Sequence, residues 1–564
     1  MKEMHKLLRR GTVAISVVLS ACAAANPGAA SDTASAAYGP FLAARYADAQ
    51  QDSAAATHFY TLALKADPDN QALINEGFIA ALLAGSPKAP ALAREVSGNA
   101  LAVMLLGNQA ALAGDYATAG KNFSLLPTDN LSALLSPLLI AWAKVGAGDS
   151  SGALAGLVPL AANSPFGSVF VLNAALIADQ SGDMKDAAQL YGAANNGDQA
   201  PNLRLAQIMA SWYAREGNLA EARAELAQMA ATHPSLAIAL PALQRDAAQP
   251  VITSPTDGLA EAYLAIAGSL QQPSQALLQV TFLRFALALR PDLSAARLLL
   301  ANIQAGGDQQ GNSPAAASQM EQALATLQPI PASDPIYAPA ALQEANLLAA
   351  LGEPGQAITL LSQLAAADPT NIDALEEAGD ILRGTDKFSD SITYYNRAIA
   401  ALPQPAPASA WTLYYDRGIS EDQNGDWTAA QPDMQTALSL SPNQPYVLNY
   451  LGYTWALRGE NLARAHSMLQ QAAGLDPNEG AIIDSLGFVS LRQGDTAAAL
   501  KLLTQAVEMA PDDAEVNAHL GDAFFAAGEK LQADYQWQRA LALKPDPKLQ
   551  AEIEGKLKQF QPPA

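Results

Sequence analysis

The sequence predicts an all-α fold, a superhelical solenoid of stacked helix–turn–helix units, and three observations carry that prediction. First, the segments YYDRGIS, LNYLGYTW, IDSLGFVS and NAHLGDAFF place Gly418, Gly452, Gly487 and Gly521 at spacings of 34, 35 and 34 residues. Second, a further glycine follows each of them seven residues later, at Gly425, Gly459, Gly494 and Gly528. Third, alanines recur in register (Ala430, Ala465, Ala499, Ala533, then Ala437, Ala472, Ala506, Ala540), and Pro442, Pro477, Pro511 and Pro545 close the units.

Each position has a physical reason. The first small residue lets one helix approach its partner closely. The turn glycine reaches positive φ where that helix stops. The two alanines keep the second helix tight against the first and against the next unit. The proline cannot continue the second helix. A period of 34 with this pattern resembles the tetratricopeptide repeat. The resemblance implies that no unit buries its apolar face alone, so the units stack into a superhelix.

The same small position can be counted upstream through Gly379, Ala345, Ala301, Ala267, Ala210, Ala175, Ala141, Gly107, Gly77 and Ala44. That makes about fourteen units over residues 38–546. The long interval from Ala210 to Ala267 contains Pro234, Pro241, Pro250 and Pro255. An irregular connection over 233–258 is therefore expected to divide an N-terminal array (38–232) from a C-terminal array (259–546). Residues 306–314 and 403–409 read as surface loops, and 547–564 as a capping helix and tail. Three departures from the pattern are visible. Arg417 stands where leucine is usual, Pro432 falls inside a second helix, and Gly77 to Gly107 is four residues short.

The chain opens on a basic stretch, Met1 to Arg10, followed by the short apolar run TVAISVVLSA. Ten residues are too few to cross a bilayer, and the plan is that of a signal peptide over residues 1–21. Leu19-Ser20-Ala21-Cys22 resembles the bacterial lipobox. That resemblance implies cleavage before Cys22, the single cysteine, and acylation of its sulfur. Several acyl chains on one residue anchor firmly where one chain holds weakly. Ala23 follows the cysteine, where an aspartate would signal inner-membrane retention, so an outer-membrane lipoprotein facing the periplasm is expected. Residues 22–37 read as a flexible tether. Removing residues 1–21 takes away four basic groups and one acidic group, moving the formal net charge from −22 to −25. Such a surface repels nucleic acid.

No residue cluster points to catalysis. Gly148-Asp149-Ser150-Ser151-Gly152 satisfies G-x-S-x-G, but a nucleophile elbow needs a strand before it, and both flanks here are alanine-rich and helical. GDYATAGKN at 114–122 has the wrong spacing for a phosphate loop. His5, His58, His233, His466 and His519 are scattered without metal-ligand spacing, and no metal or cofactor is expected.

The repeat resemblance implies a concave groove lined by first helices, with the positions three before and one after the marker glycine pointing inward. These are Tyr415 and Ile419, Asn449 and Tyr453, Asp484 and Phe488, Ala518 and Asp522. Tyr415, Asn449, Tyr453, Asp484, Phe488 and Asp522 are the expected partner-binding residues. Tyrosine offers apolar area with a polar tip, and asparagine can pair with an extended backbone. The alternative for Tyr453 and Phe488 is packing between helices, since aromatic spacing in helices usually reports core. The whole plan resembles lipid-anchored adaptors that bring envelope substrates such as peptidoglycan hydrolases to a carboxyl-terminal processing protease. The alternative is a structural subunit of an envelope export or assembly machine for polysaccharide or pilus secretion.

Overall fold

The computed structural model describes residues 32–50, 52–96, 98–127, 131–163, 167–195, 202–270, 272, 275–306 and 314–559. The expected signal peptide, Cys22 and most of the expected tether lie outside these residues. The tether ends earlier than expected, because a helix already runs from Asp32 to Ala49.

Among the described residues there is no strand, and α-helices follow one another in antiparallel pairs. Fourteen pairs lie between Asp32 and Ala542, and every counted marker from Ala44 to Gly521 falls in the first helix of its pair. Closeness explains the small residue. A Cβ added at Gly521 would lie 2.5 Å from the Trp537 ring, and one at Gly487 would lie 2.7 Å from Leu503, each in the second helix of the same pair.

Several turns are built from a glycine–aspartate pair. At Gly494 the chain takes φ +86°, and the N–H of Asp495 closes back on the Ser490 carbonyl at 3.0 Å. Asp495 then caps the next helix, its Oδ1 accepting from the Ala498 N–H at 3.0 Å. One residue thus ends one helix and starts the next. Gly148-Asp149 is the same turn: Gly148 has φ +85°, and Asp149 Oδ1 accepts from the Gly152 N–H at 2.9 Å. Ser150 therefore opens a helix after a helix, and no strand precedes it.

The irregularities resolve locally. The short interval between Gly77 and Gly107 reflects a second helix of only seven residues, Ala89–Glu95. Helix Trp427–Leu440 runs through Pro432. Arg417 replaces leucine because Asp433 faces it from that helix, with Nε–Oδ2 at 2.6 Å and Nη2–Oδ1 at 2.7 Å. A bidentate pair fills the place of an apolar contact.

The chain divides into two compact units, Met1–Ala357 and Ile358–Ala564. The boundary between these units lies at Ala357 and Ile358, whereas the sequence reading places a division at 233–258. That connection forms a 3-10 turn, Pro234–Ala239, a short helix, Leu240–Asp246, and an extended stretch leading to a capping box at Ser254 and Asp257. The helix that follows, Pro255–Ser269, packs on helices Ser132–Gly146 and Gly167–Gln180 of the preceding repeats. Gly258 makes this contact possible, because a Cβ there would overlap the Trp142 ring. Tyr263 donates to Asn108 Oδ1 at 3.1 Å, 155 residues away in sequence. Buried Glu261 pairs with Arg204 through Oε2 at 2.9 Å, and Arg290 lies 3.5 Å away. Helices on the two sides of the connection thus share one core.

The capping helix is Pro547–Gln559. Gly555 lies 34 residues after Gly521, so the cap is the first half of a further repeat. Its Ile553 is fully buried beside Ala518 and Trp537.

Candidate functional site

In the C-terminal unit the first helices are Ile372–Arg383, Trp411–Gln423, Pro445–Arg458, Gly480–Arg492 and Ala514–Ala526. Their amphipathic patterning leaves one side toward the second helices and another along the inner face. That inner face is curved tightly enough for helices two repeats apart to touch. Tyr453 donates its hydroxyl to Glu515 Oε1 across the intervening helix, and the rings of Tyr453 and His519 lie 6.1 Å apart.

The expected residues do not all take the same role. Tyr415, Asn449, Tyr453 and Asp522 are partly exposed. Tyr415 lies 5.9 Å from Trp411 and meets Tyr450 edge-on at 6.1 Å. Burial, with Asp416 beside it, pushes the Tyr415 hydroxyl up to about 12. Asn449 leaves its buried Oδ1 without a hydrogen-bond partner. Phe488 is buried, packed against Tyr453 at 5.4 Å and His519 at 4.5 Å. Ala518 is core. Asp484 is buried: its Oδ2 accepts from His519 Nδ1 at 2.8 Å, while Oδ1 has no partner. Burial opposes charge on His519, but Asp484 outweighs it and raises the imidazole to about 9. Asp522 accepts from Trp537 Nε1 at 3.0 Å and from Lys556 Nζ at 2.8 Å. The cap therefore reaches the inner face, where Lys556 also meets Glu552 at 2.7 Å.

Several inner-face residues escaped the sequence reading. Glu376 and Asp380 occupy the same two offsets around Gly379, and Glu552 and Lys556 occupy them around Gly555. Extending the count by one unit at each end would have found all four. Asp416, Tyr450 and His519 stand two before their markers, and that offset was not considered. Asp416 sits 3.3 Å from Arg383. Burial, and then the charge of Asp380, pushes its carboxyl up to about 7 against the pull of Arg383.

The arrangement offers acceptor atoms, aromatic faces and carboxylates on one concave surface. Among the described residues no group of His, Cys, Asp and Glu is placed to hold a metal ion.

Comparison with known proteins identifies the repeats. Residues 342–406, 415–480 and 489–548 match the tetratricopeptide repeat family model. The TPR repeat-containing protein PA4667 of Pseudomonas aeruginosa is 29% identical over 110 residues, 20% of this chain. The chain thereby spans only 18% of that relative's length. Among solved structures, the APC/C hetero-tetramer Cut9–Hcn1 is similar at 16% identity, with 83% of this chain and 98% of that one covered and a TM-score of 0.36. YrrB, a TPR protein with an unusual peptide-binding site, is 18% identical over 35% of this chain and 97% of its own, with a TM-score of 0.27. MamA from Desulfovibrio magneticus RS-1 is 20% identical over 30% of this chain and 91% of its own, with a TM-score of 0.27. The matched repeats support a protein-interaction scaffold.

Proposed function

We propose that the protein is a lipid-anchored scaffold of the outer membrane, facing the periplasm, whose C-terminal groove holds segments of envelope proteins. On this reading it is an adaptor that gathers substrates such as peptidoglycan hydrolases for a carboxyl-terminal processing protease. The observation that carries the groove assignment is Asn449. It stands at an inward position, partly exposed, with a buried side-chain oxygen that no group among the described residues satisfies. Leaving a polar atom unpaired costs free energy, and a partner backbone N–H would recover it. Tyr446, 49% exposed on the same helix, adds apolar area with a polar tip. Leu19 to Cys22 support the anchor by their resemblance to the lipobox.

The mechanism is effective concentration. Two partners held on one frame meet as if linked, and local concentrations reach about the millimolar range for short spans. No bond needs to be made or broken by the chain itself.

The test is capture of the full chain from solubilised envelopes, read by mass spectrometry. A processing protease and hydrolases should co-purify with the native chain, and the hydrolases should be lost with Asn449→Ala combined with Tyr415→Ala. Recovery of a secretion pore or polysaccharide synthase instead overturns the adaptor reading. Cys22→Ser should leave an unprocessed or mislocalised precursor; normal acylation in that variant rejects the anchor.

A further inference from the structure

The inner face of the C-terminal unit is not electrically balanced. Its carboxylates are Glu376, Asp380, Asp416, Asp484, Glu515, Asp522 and Glu552. Among its cations Arg383, His519 and Lys556 are already spent within the unit, while Arg492 lies over the Phe488 ring at 6.0 Å. Arg383 lies 3.3 Å from both Asp380 and Asp416, His519 2.8 Å from Asp484, and Lys556 2.8 Å from Asp522 and 2.7 Å from Glu552. Glu376 and Glu515 have no ion-pair partner among the described residues. Among the described residues Glu376 accepts from the Thr412 hydroxyl at 3.0 Å, and Glu515 from that of Tyr453, and neither carboxylate accepts a further hydrogen bond.

A second observation is independent of the charge. Asp484, 5% exposed, leaves Oδ1 without a donor, and Asn449 leaves Oδ1 without a donor one repeat earlier. Both occupy the position three before the marker glycine, so both belong to the same inward row. Two buried acceptors in one row call for an occupant rich in N–H. The carboxylates call for one that is positive. Tyr415, Tyr450 and Tyr453 are partly exposed and add aromatic area with polar tips along the same face.

We propose that this face takes an extended, lysine- or arginine-bearing segment of a partner protein. The inference rests on the groove assignment above and adds the sign of the partner. A segment ending in a free carboxylate or rich in Asp and Glu would meet like charge and is excluded, since like-charge juxtaposition is strongly unfavourable. The basic residues of the segment would complete Glu376 and Glu515, and its backbone N–H groups would reach Asn449 and Asp484. Asp416 adds a pH dependence. Its carboxyl ionises near neutrality, with Asp380, Glu376 and Arg383 as the charged groups around it, so a cationic segment binds more tightly as pH rises from 6 to 8.

The test uses the purified full chain and two fluorescein-labelled twelve-residue peptides, one alternating lysine and alanine, the other glutamate and alanine, followed by fluorescence anisotropy. The lysine peptide should bind and weaken steeply with added NaCl, while the glutamate peptide should not bind. Glu376→Gln with Glu515→Gln should weaken the lysine peptide about tenfold, since the pair removes two carboxylates and keeps the acceptors that Thr412 and Tyr453 use. The control, Glu508→Gln with Asp512→Asn, removes two exposed carboxylates off the inner face and should change little. Asp484→Asn provides a third variant, with folding of each checked by circular dichroism. Equal loss in the control pair would mean diffuse attraction to an acidic surface and would overturn the proposal. So would equal binding of the two peptides, or no binding at low salt. If the peptides fail but envelope capture still depends on Asn449, only the charge assignment falls; if capture fails too, the groove reading falls with it.

Discussion

The inner faces of the two units began from the same repeat and ended differently. In the N-terminal unit the inward row is filled by the chain itself at the Gly107 and Ala141 repeats, whereas Arg45, Asn302 and Asn346 hold the same offset exposed in other repeats. Trp142 and Leu138 are fully buried, Met104 is 2% exposed, and Asn108, itself buried, accepts through Oδ1 from Tyr263 of the folded-back helix Pro255–Ser269 while its Nδ2 finds no partner among the described residues. In the C-terminal unit the corresponding positions hold Tyr415, Asn449, Tyr453 and Asp522, which stay partly exposed and polar. A groove that the chain occupies contributes stability, whereas a groove left open contributes recognition. The difference originates in the connection at 233–258, which carries a helix back across earlier repeats instead of stacking it onto the last one.

The largest expected effect tests the filled face. Trp142→Ala removes a fully buried indole that touches Gly258 and donates through Nε1 to Asn173 Oδ1 at 2.9 Å. It should cost about 3–5 kcal/mol. Hydrogen exchange should report faster opening in helices Ser132–Gly146 and Pro255–Ser269 and no change in the matched repeats of the C-terminal unit. Uniform loss of protection across both units would break the comparison.

A smaller effect sharpens the same face. Gly258→Ala puts a methyl group into the Trp142 ring, and the helix has to move; overpacking of this kind costs about 1–3 kcal/mol. Urea unfolding of the full chain should show the shift. Wild-type stability in this variant would mean that the Trp142 contact is looser than the geometry indicates.

The open face predicts a pH dependence centred on His519. His519 has its imidazole raised to about 9 by Asp484 against the cost of burial. A group raised above its unfolded value near 6.5 contributes stability that is fully present below that value and is lost as pH rises through the folded one. Local protection in helices Gly480–Arg492 and Ala514–Ala526 should fall between pH 6.5 and 9. His519→Gln should flatten that slope. An unchanged slope in the variant would assign the dependence to other groups.

How far the sequence reveals this difference depends on range. The marker residues act within one pair: Gly487 meets Leu503 in the same hairpin, and Asp495 caps the helix it precedes, so both are readable at short spacing. Arg417 is not, because its meaning depends on Asp433 facing it, and a leucine position looks violated until the ion pair is seen. The filled groove is less readable still. Nothing near Gly258 or Tyr263 announces Trp142 or Asn108, more than a hundred residues upstream. Proline content marks 233–258 as irregular, but irregularity does not say whether the chain parts there or folds back. On the open face, Phe488 and Ala518 share offsets with Asn449 and Asp522 yet are buried, because the curvature presses alternate helices together. Offset assigns a side of the helix; curvature decides how much of that side remains accessible.

The smallest expected change in stability is the one most telling for function. Tyr415→Ala and Tyr446→Ala remove aromatic area from the open face, and Tyr446 is already half exposed. For Tyr446→Ala the cost should stay within about 0.5 kcal/mol, as for a surface residue. Tyr415→Ala should cost more, because it loses ring contacts with Trp411 and Tyr450; edge-on aromatic pairs are worth about 0.5–1.5 kcal/mol. Both variants should lose capture of envelope partners, since aromatic anchors dominate interface energetics. If Tyr446→Ala instead lowered the unfolding midpoint as far as Gly258→Ala, its ring would be holding the fold together. The open face would then be a second packed surface, and the contrast between the two units would lose its functional meaning.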